Sequence, residues 1–500
     1  MLRTIRIFLA LIFFIGASLL FLDFTGTIHA WFGWIAKVQF LPAVLAINVG
    51  VIVALVAFTF IFGRVYCSVI CPMGVLQDVF AKFGKWSKKN RYSYSPALNW
   101  WRYSLLAIMV IAIIFGIGSI VGILAPYSSF GRIMHSLFSP IWQYGNNVLA
   151  RMAERSGSYA FYPTEVWIRS IAVFTTAVVT LTVIAILAWR NGRTYCNAIC
   201  PVGTVLGFMS RYSLFRPTID VAKCNGCGLC ARNCKSACIN SREHSIDYSR
   251  CVSCMDCIGK CHKNAISYTY KRVPKLKEVP AMIGESEINA PDASRRNFLG
   301  VMALMGSTAL VEAAEKTVDG GLAVIEDKKV PIRNTHITPP GSQGHSNLAS
   351  RCTGCQLCVS VCPNQVLRPS GNLENFMHPV ASYERGYCRP ECTKCSEVCP
   401  TGAIKKIDKA EKSSIQIGRA TWVKENCIPL TDEVSCGNCA RHCPVGAIQM
   451  VSSMPGDELA LKIPAVDTEK CIGCGACENL CPSRPFSAIY VEGNERHRFV

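Results

Sequence analysis

Cysteines in short, regular groups are the residues of this sequence best suited to chemistry. The chain has 29 cysteines among 500 residues. Two groups near the middle share the spacing C-x2-C-x2-C-x3-C, and their members are Cys224, Cys227, Cys230 and Cys234, then Cys251, Cys254, Cys257 and Cys261. Disulfide bonds alone would not need so many thiols in so long a chain, so we expect metal or redox chemistry.

Four more groups lie in the C-terminal part, and in each of them proline follows the fourth cysteine. The two middle groups open with C-x3-C and C-x8-C, so they are variants of the two outer ones. The members are Cys352, Cys355, Cys358 and Cys362; Cys388, Cys392, Cys395 and Cys399; Cys427, Cys436, Cys439 and Cys443; and Cys471, Cys474, Cys477 and Cys481.

This spacing indicates 4Fe-4S clusters. Three closely spaced cysteines wrap one cluster, and the fourth usually ligates a second cluster. In the middle of the chain, Cys261 would then complete the first group and Cys234 the second, although the spare Cys238 could replace Cys234. Zinc favours two separated CxxC pairs. We therefore expect six clusters, with the cysteines of all six groups as iron ligands.

A different cysteine pattern occurs twice in the first half. Residues 63–74 and 192–203 share the motif Gly-Arg-x-Tyr-Cys-x-x-x-Cys-Pro-x-Gly. Thiols four residues apart share a helix face, with Cβ atoms about 5–6 Å apart, which is too far for a disulfide. The four cysteines could ligate an additional cluster or metal, exchange electrons with a quinone, or be inert at a structural turn. We take them as candidate catalytic residues: Cys67, Cys71, Cys196 and Cys200.

Four apolar runs surround these repeats. Each has close to the ~20 residues that a helix needs to cross a bilayer, and they cover residues 5–22, 42–63, 104–124 and 167–189. The net charge of +19 lies mainly beside these runs, so we expect no nucleic-acid partner. The predicted fold is a membrane all-α bundle of four helices followed by α+β domains of the bacterial ferredoxin kind.

Basic residues orient the bundle. Arg3 and Arg6 precede the first run, a lysine-rich stretch follows the second, and Arg190 and Arg193 follow the fourth. By the positive-inside rule these segments face the cytoplasm. His29, His135 and Tyr127 lie near the opposite ends, where we interpret them as interfacial anchors, because no residue pattern identifies a quinone pocket.

An export signal is predicted inside the chain. Ser294-Arg295-Arg296-Asn297-Phe298-Leu299 precedes an apolar run to Val311 and the small residues Ala313 and Ala314, a pattern typical of twin-arginine export. A chance match before a docking helix is the alternative. The predicted domains are 1–216, the membrane bundle; 217–272, a two-cluster ferredoxin; 273–345, a linker with this signal; and 346–500, a four-cluster ferredoxin.

The first half and residues 217–272 resemble the NapH-type membrane subunit of the quinol dehydrogenase that serves periplasmic nitrate reductase. The part from Ser294 onward resembles the NapG-type exported four-cluster subunit. The resemblance implies a natural fusion of both subunits, acting in anaerobic respiration. It also implies that the four C-terminal motifs pair in a nested way, outer with outer and inner with inner.

The expected function is electron transfer from quinol through 4Fe-4S clusters to an exported reductase or cytochrome, as the redox subunit of a quinol dehydrogenase and not as a stand-alone enzyme. The expected location is the bacterial inner membrane, in contact with lipid and the quinone pool, with the first ferredoxin domain cytoplasmic and the C-terminal one periplasmic. Two alternatives remain: an accessory factor for metal reduction or partner maturation, and a polyferredoxin that faces the cytoplasm and takes electrons from soluble donors.

Overall fold

The computed structural model describes residues 2–87, 92–270, 318–319, 323–324, 326–454, 456–457 and 460–500. The predicted twin-arginine motif, the apolar run to Val311, Ala313 and Ala314 lie outside these described residues.

Helices dominate the described residues up to Ser210, which we call the helical domain. The longer ones are Leu2–Leu22, Val49–Phe62, Pro72–Trp86, Asn99–Ile114, Pro126–Ile133, Ser139–Arg155, Ile171–Asn191 and Pro201–Ser210. Short helices at Thr27–Phe32, Trp34–Lys37, Phe40–Leu45, Val65–Val69 and Gly118–Leu124, and π-helical turns at Met134–Phe138 and Tyr195–Ile199, connect them.

Two of the four apolar runs are interrupted. The run predicted over 42–63 breaks at Ile47, whose φ is 55°, and Asn48 then caps the next helix by accepting from the Val51 amide. The run predicted over 104–124 breaks at Gly116, with φ 70°. Continuous helices over these two runs were therefore a wrong expectation, because each segment contains a residue that ends the helix locally.

Two helices in the described part of the chain are long and apolar enough to span a membrane, Leu2–Leu22 and Ile171–Asn191, at 21 residues each. Only 28% and 22% of their most apolar windows are buried. Each helix packs a narrow stripe against the domain core, through Ala17 and Leu20 in the first helix and Ala177 in the second, and exposes large apolar side chains elsewhere. A four-helix membrane bundle stays a prediction.

The cysteine-rich parts are built from short helices and two-stranded antiparallel sheets. In the first part, here the two-cluster domain (215–270), Phe215–Ile219 pairs with Ile266–Tyr270 and Ile239–Asn240 with Ser245–Ile246. Its helical pieces are Leu229–Arg232 and the 3-10 turn Ile258–Lys260.

The second part, here the four-cluster domain (326–500), follows the same plan. Its strand pairs are Leu367–Pro369 with Pro379–Ala381, Ile415–Trp422 with Ile489–Phe499, and Ile448–Ser452 with Lys462–Val466. Its helices are His345–Arg351, Leu357–Ser360, Lys394–Val398, Lys409–Ser414, Ile428–Thr431, Asn438–Arg441 and Ala476–Asn479, with a 3-10 turn at Lys424–Asn426. A separate strand pair, Val318–Asp319 with Ala323–Val324, precedes it.

The two cysteine-rich domains contact opposite ends of the helical domain. At the start of the first helix, Arg3 Nε lies 2.8 Å from Asp256 Oδ1 of the two-cluster domain. Just beyond the end of the same helix, Lys394 of the four-cluster domain donates to the Thr25 carbonyl at 2.9 Å. A 21-residue helix is about 31 Å long, so roughly that length separates the two domains.

Candidate redox centres

Six sets of four cysteines come together in the two cysteine-rich domains. In group 1, the thiols line one cavity; its members are Cys224, Cys227, Cys230 and Cys261. In group 2, the thiols interact electrostatically; its members are Cys251, Cys254, Cys257 and Cys234. Each set takes its fourth member from the other motif, as the spacing predicts.

Cys238 lies beside group 2. Its sulfur is 3.5 Å from the Cys234 sulfur, and it is also within hydrogen-bond reach of Cys251. Of this pair, Cys234 is the one that contributes strongly to the electrostatics of Cys254 and Cys257. A hydrogen bond from Cys238 lowers the pKa of Cys234 and raises that of Cys238, which fits Cys234 as the fourth member of group 2 and Cys238 as its hydrogen-bond donor.

The four-cluster domain contains the other four sets. Group 3 lines one cavity with Cys352, Cys355, Cys358 and Cys399. Group 4 lines another cavity with Cys388, Cys392, Cys395 and Cys362. Electrostatic contacts define group 5 as Cys471, Cys474, Cys477 and Cys443, and group 6 as Cys427, Cys436, Cys439 and Cys481.

The nested pairing of these motifs is therefore wrong. Each motif exchanges its fourth cysteine with its neighbour in sequence, so groups 3 and 4 form one pair and groups 5 and 6 another. The reason is local: the hairpin of Leu367–Pro369 with Pro379–Ala381 joins the first two motifs, and that of Ile448–Ser452 with Lys462–Val466 joins the last two. Each hairpin brings the chain back beside the motif it has just left.

Backbone amides point at several sulfurs. Cys261, Cys399, Cys443 and Cys481 each accept a hydrogen bond from an N–H that follows within seven residues, at 3.2–3.4 Å; the donors are Ala265, Ile404, Ala447 and Ala488. Such bonds favour anionic sulfur and tune the potential of a bound cluster. Sequence reasoning missed these donors, because backbone amides leave no residue signature.

The four cysteines of the CxxxCP repeats converge in the helical domain; we call them the thiol centre. Their exposed fractions are 3–4%, and their thiols interact with one another. Gln77 Nε2 donates to Cys196 Sγ at 3.1 Å, and the Gly203 amide to Cys200 Sγ at 3.4 Å. The repeat therefore brings together four buried thiols that are far apart in sequence.

Each repeat donates a hydrogen bond from its arginine to a backbone carbonyl of the other repeat. Arg64 of the first donates to the Cys196 carbonyl at 3.2 Å, and Arg193 of the second to the Cys67 carbonyl at 2.5 Å. A Cβ on Gly74 would lie 2.1 Å from the Cys67 oxygen, and a Cβ on Gly203 would meet the Cys196 oxygen at 2.2 Å. The motif needs glycine at these two positions because a side chain there would collide with the carbonyl oxygen to which the arginine of the other repeat donates.

An ionic network joins the thiol centre to the two-cluster domain. Asp78 Oδ2 lies 2.8 Å from Arg193 and 3.2 Å from Arg6, and Lys235 lies 3.4 Å from Asp78 and 2.9 Å from Asp256. Burial opposes ionisation of Asp78, but Arg193 and Lys235 hold its pKa well below the usual range. These two ion pairs give a structural role to Lys235, the residue directly after the fourth cysteine of its motif.

The seven cysteine sets lie in one row. Group 1 meets group 2 through Cys230 and Cys257, and Arg193 interacts with both Cys254 of group 2 and Cys196 of the thiol centre. On the far side, Arg132 interacts with both Tyr195, which adjoins Cys196, and Cys355 of group 3.

The row continues through the four-cluster domain. Cys358 interacts with Cys395, which joins groups 3 and 4. The Cys388 amide donates to the Cys474 carbonyl at 2.9 Å, which joins groups 4 and 5. Groups 5 and 6 meet through Cys477 and Cys439. Electrons could thus move from set to set along the molecule.

The cysteine sets suit clusters better than single ions. Within the described residues, no three His, Cys, Asp or Glu side chains lie close enough together to hold one metal ion. Four thiols around an open cavity are the donor set that a 4Fe-4S cluster needs. The residues present therefore fit this cofactor.

Two family models match the chain. One, described as a 4Fe-4S binding domain, matches residues 44–91 and 173–220, and the other, described as a 4Fe-4S dicluster domain, matches 351–403 and 434–484. The first dicluster match encloses the first two C-terminal motifs, and the second encloses the last motif and Cys436, Cys439 and Cys443 of the one before it, in agreement with pairing between sequence neighbours. The prediction of ferredoxin-like 4Fe-4S domains is confirmed.

Several curated proteins are similar to this chain. A methylamine utilization ferredoxin-type protein, MauM, of Methylorubrum extorquens is 31% identical over 34% of this chain and 80% of its own length. The ferredoxin-type protein NapG of Escherichia coli is 27% identical over 38% of this chain and 82% of its own. The putative electron transport protein YccM of E. coli is 23% identical over 49% and 62%. No solved structure matches.

Proposed function

The chain belongs to the family of ferredoxin-type 4Fe-4S proteins, and we propose that it is a membrane-anchored member that carries electrons from quinol to an exported reductase or cytochrome. That it is an iron-sulfur electron-transfer protein follows from the family models and relatives. The membrane, the quinol and the exported acceptor are the proposed parts.

The row of cysteine sets is the observation that carries this proposal. Bound 4Fe-4S clusters would take up and release single electrons. The protein's own residues hold the cluster ligands in order and supply N–H donors to several of their sulfurs. A row that runs from one end of the helical domain to the other suits a relay better than an accessory factor, which would need no electron path between its two ends.

We include the thiol centre in the relay as a seventh cluster site. Residues 44–91 and 173–220 match a 4Fe-4S binding family, and their only cysteines are the four of the thiol centre. Arg64 and Arg193, both 0% exposed, would offset the negative charge of a four-thiolate cluster. Without this site, the helical domain would separate groups 2 and 3.

The proposed anchoring depends on the two long helices. Their large apolar side chains face outward, among them Phe8, Leu11 and Ile15 in the first helix and Val183 and Ile186 in the second. The core helix of a soluble protein would bury such side chains. With Arg3 on the cytoplasmic side, the two-cluster domain faces the cytoplasm and the four-cluster domain faces the opposite side. This arrangement suits a fusion of the NapH and NapG types with an internal export signal.

The proposal is tested by quinol reduction of the purified full-length protein. We expect a water-soluble quinol to bleach the cluster absorbance of the oxidised protein anaerobically, and the corresponding quinone to restore it. Dithionite gives the full extent of bleaching as a control. Bleaching by dithionite but not by quinol would contradict the proposal while leaving the iron-sulfur assignment intact.

The seventh cluster has its own test. Cys67→Ala/Cys200→Ala should lower the iron and acid-labile sulfide content by about one cluster per chain, or about four irons. The matched control, Cys238→Ala, removes a thiol outside the seven sets and should not. Equal iron in the double variant and the wild type would overturn the seventh site.

A further inference from the structure

The two-cluster domain has an open surface around the thiols of group 1. All 29 cysteines lie in the described part of the chain, and Cys227 is the one that is exposed. A Cβ added to Gly226 or Gly259 would meet no atom within 4 Å, so the described residues leave these positions open. We call the surface formed by residues 223–232 and 259–263 the group 1 face.

Basic side chains surround the thiols on this face. His262 and Lys263 line the same cavity as the four cysteines, and Arg232 Nη2 donates to the Cys227 carbonyl at 3.0 Å. Two further lysines each directly precede a group 1 cysteine in the sequence. The exposed basic residues are Lys223, Arg232, Lys260, His262 and Lys263.

Acidic side chains are fewer around group 1. Asp220 lies 3.4 Å from Lys223, and both side chains are exposed, so the pair is weak. Glu243 is exposed near Ser241 of the cavity wall, but it directly follows the equally exposed Arg242. The group 1 face therefore keeps a positive charge.

Cluster binding alone does not require these basic residues. In the four C-terminal motifs proline follows the fourth cysteine, whereas His262 and Lys263 follow Cys261. At the opposite end of the row, the loop between the first two cysteines of group 6 has the exposed acidic pair Asp432 and Glu433. The two ends of the row therefore differ in charge, which suits them to different partners.

The position of group 1 in the row also needs an explanation. Group 2 adjoins the helical domain, because Arg193 interacts with Cys254, and group 1 meets group 2 from the other side through Cys230. Transfer from the bilayer to the four-cluster domain would not pass through group 1. An exposed ligand at the free end of a row of redox centres is where a second electron carrier could approach.

We propose that the group 1 face docks a small acidic soluble protein that carries one electron at a time, and that this carrier gives the relay a second electron entry besides quinol. Opposite charges speed the encounter of two proteins and select the partner. The inference goes beyond the proposed function and rests only on the iron-sulfur assignment. In the transfer, the reduced carrier loses one electron and the cluster held by group 1 gains it; no bond forms or breaks, and no proton moves.

The experiment measures docking directly, so it does not depend on turnover. The probe is a small acidic 2Fe-2S ferredoxin, and its Kd for the full-length protein in detergent is compared among variants. Lys223→Glu/Lys260→Glu/Lys263→Glu should weaken binding about tenfold or more, because like charges then face each other. The matched control, Lys405→Glu/Lys406→Glu/Lys409→Glu, reverses three exposed lysines of the four-cluster domain and should bind as the wild type does.

Two further readouts locate the contact. A zero-length carbodiimide crosslinker should join carboxylates of the ferredoxin to Lys223, Lys260 or Lys263 of the wild type. Raising the salt concentration from about 0.05 to 0.5 M should weaken binding of the wild type more than that of the triple variant, because salt screens opposite charges at the surface.

The outcomes separate this inference from the proposed function. Iron content and bleaching by dithionite should be unchanged in the triple variant, which shows that it is folded and loaded. Equal Kd values for the triple variant and the wild type, or crosslinks confined to residues outside 223–263, would overturn the docking face. Docking without electron transfer from the reduced ferredoxin would overturn the second entry.

Reduction by quinol is measured on the same wild-type sample. If quinol reduces the clusters and the ferredoxin does not bind, this inference falls and the proposed function stands. If the ferredoxin binds at the group 1 face and reduces the clusters while quinol does not, the proposed quinol entry falls and this inference stands.

Discussion

At the scale of single residues, the choice between Cys234 and Cys238 decides how group 2 is completed. Cys234 interacts with Cys254 and Cys257, whereas the main partners of Cys238 are the sulfurs of Cys234 and Cys251. Cys234→Ala should therefore lower the iron content by about four atoms per chain. Cys238→Ala should keep the iron and shift the group 2 potential, because a hydrogen bond to sulfur is lost. Iron analysis and a redox titration check both, and the reverse iron result would contradict the assignment.

Asp78 is the residue whose loss should most weaken the attachment of the two-cluster domain. Asp78→Asn leaves the buried Arg193 without its carboxylate, a change that typically costs about 3–5 kcal/mol. Thermal unfolding in detergent should show a clear loss of stability. Asp467→Asn, which removes an exposed pair with Lys470, is the control and should melt as the wild type does.

The same carboxylate predicts a pH dependence. The pKa of Asp78 is lower in the folded protein than in the unfolded chain. The contribution of Asp78 to the free energy of unfolding is therefore complete above its pKa in the unfolded chain, about 3.9. It is lost as the pH falls through its pKa in the folded protein. The stability difference between the wild type and Asp78→Asn should be constant from pH 8 to 5 and shrink only in stronger acid. A difference that disappears near pH 6 would contradict this.

Many of the site residues could be predicted because cluster chemistry needs cysteines at fixed short spacing. The spacing grouped the cysteines into motifs. It also predicted that the two middle motifs exchange their fourth cysteines. Spacing contains no information on backbone donors such as the Ala265 and Ala447 amides.

At the scale of elements, hairpins decide which motifs exchange ligands. Cys399 completes group 3, so Cys399→Ala should free Cys352, Cys355 and Cys358 for alkylation under native conditions. Nested pairing would instead free Cys427, Cys436 and Cys439. Mass spectrometry of the alkylated peptides distinguishes the two, and alkylation of the second set alone would contradict the pairing seen here.

Helix continuity was the other element-level error. Hydropathy indicates where apolar residues lie, but it does not detect the Asn48 cap or the positive φ of Gly116. Apolar character was right for all four runs, and Leu2–Leu22 and Ile171–Asn191 have the expected length. Local backbone geometry, which hydropathy ignores, set the bounds of the rest.

At the scale of the whole molecule, the position of the four-cluster domain could not be read from the sequence. It depends on contacts between residues about 200 positions apart, such as Arg385 with Glu165 at 3.2 Å and the two arginines that contact the ring of Trp167.

Trp167→Ala removes the ring that both arginines contact, so it should loosen the interface between the helical domain and the four-cluster domain. We expect faster tryptic release of residues 326–500 from the membrane, with the iron content unchanged; Trp86→Ala, at an exposed helix end, is the control. Equal release rates for Trp167→Ala and the wild type would argue against this interface.

The central claim is that the row of cysteine sets crosses the membrane, with its two ends on opposite sides. Protease treatment of spheroplasts tests this directly, using a tag at the C-terminus and another inserted between Arg242 and Glu243 of the two-cluster domain. In the wild type the C-terminal tag should be digested and the inserted tag protected until lysis, whereas in Arg295→Lys/Arg296→Lys both should be protected. If the two tags respond alike in the wild type, both cysteine-rich domains lie on the same side and the account is wrong.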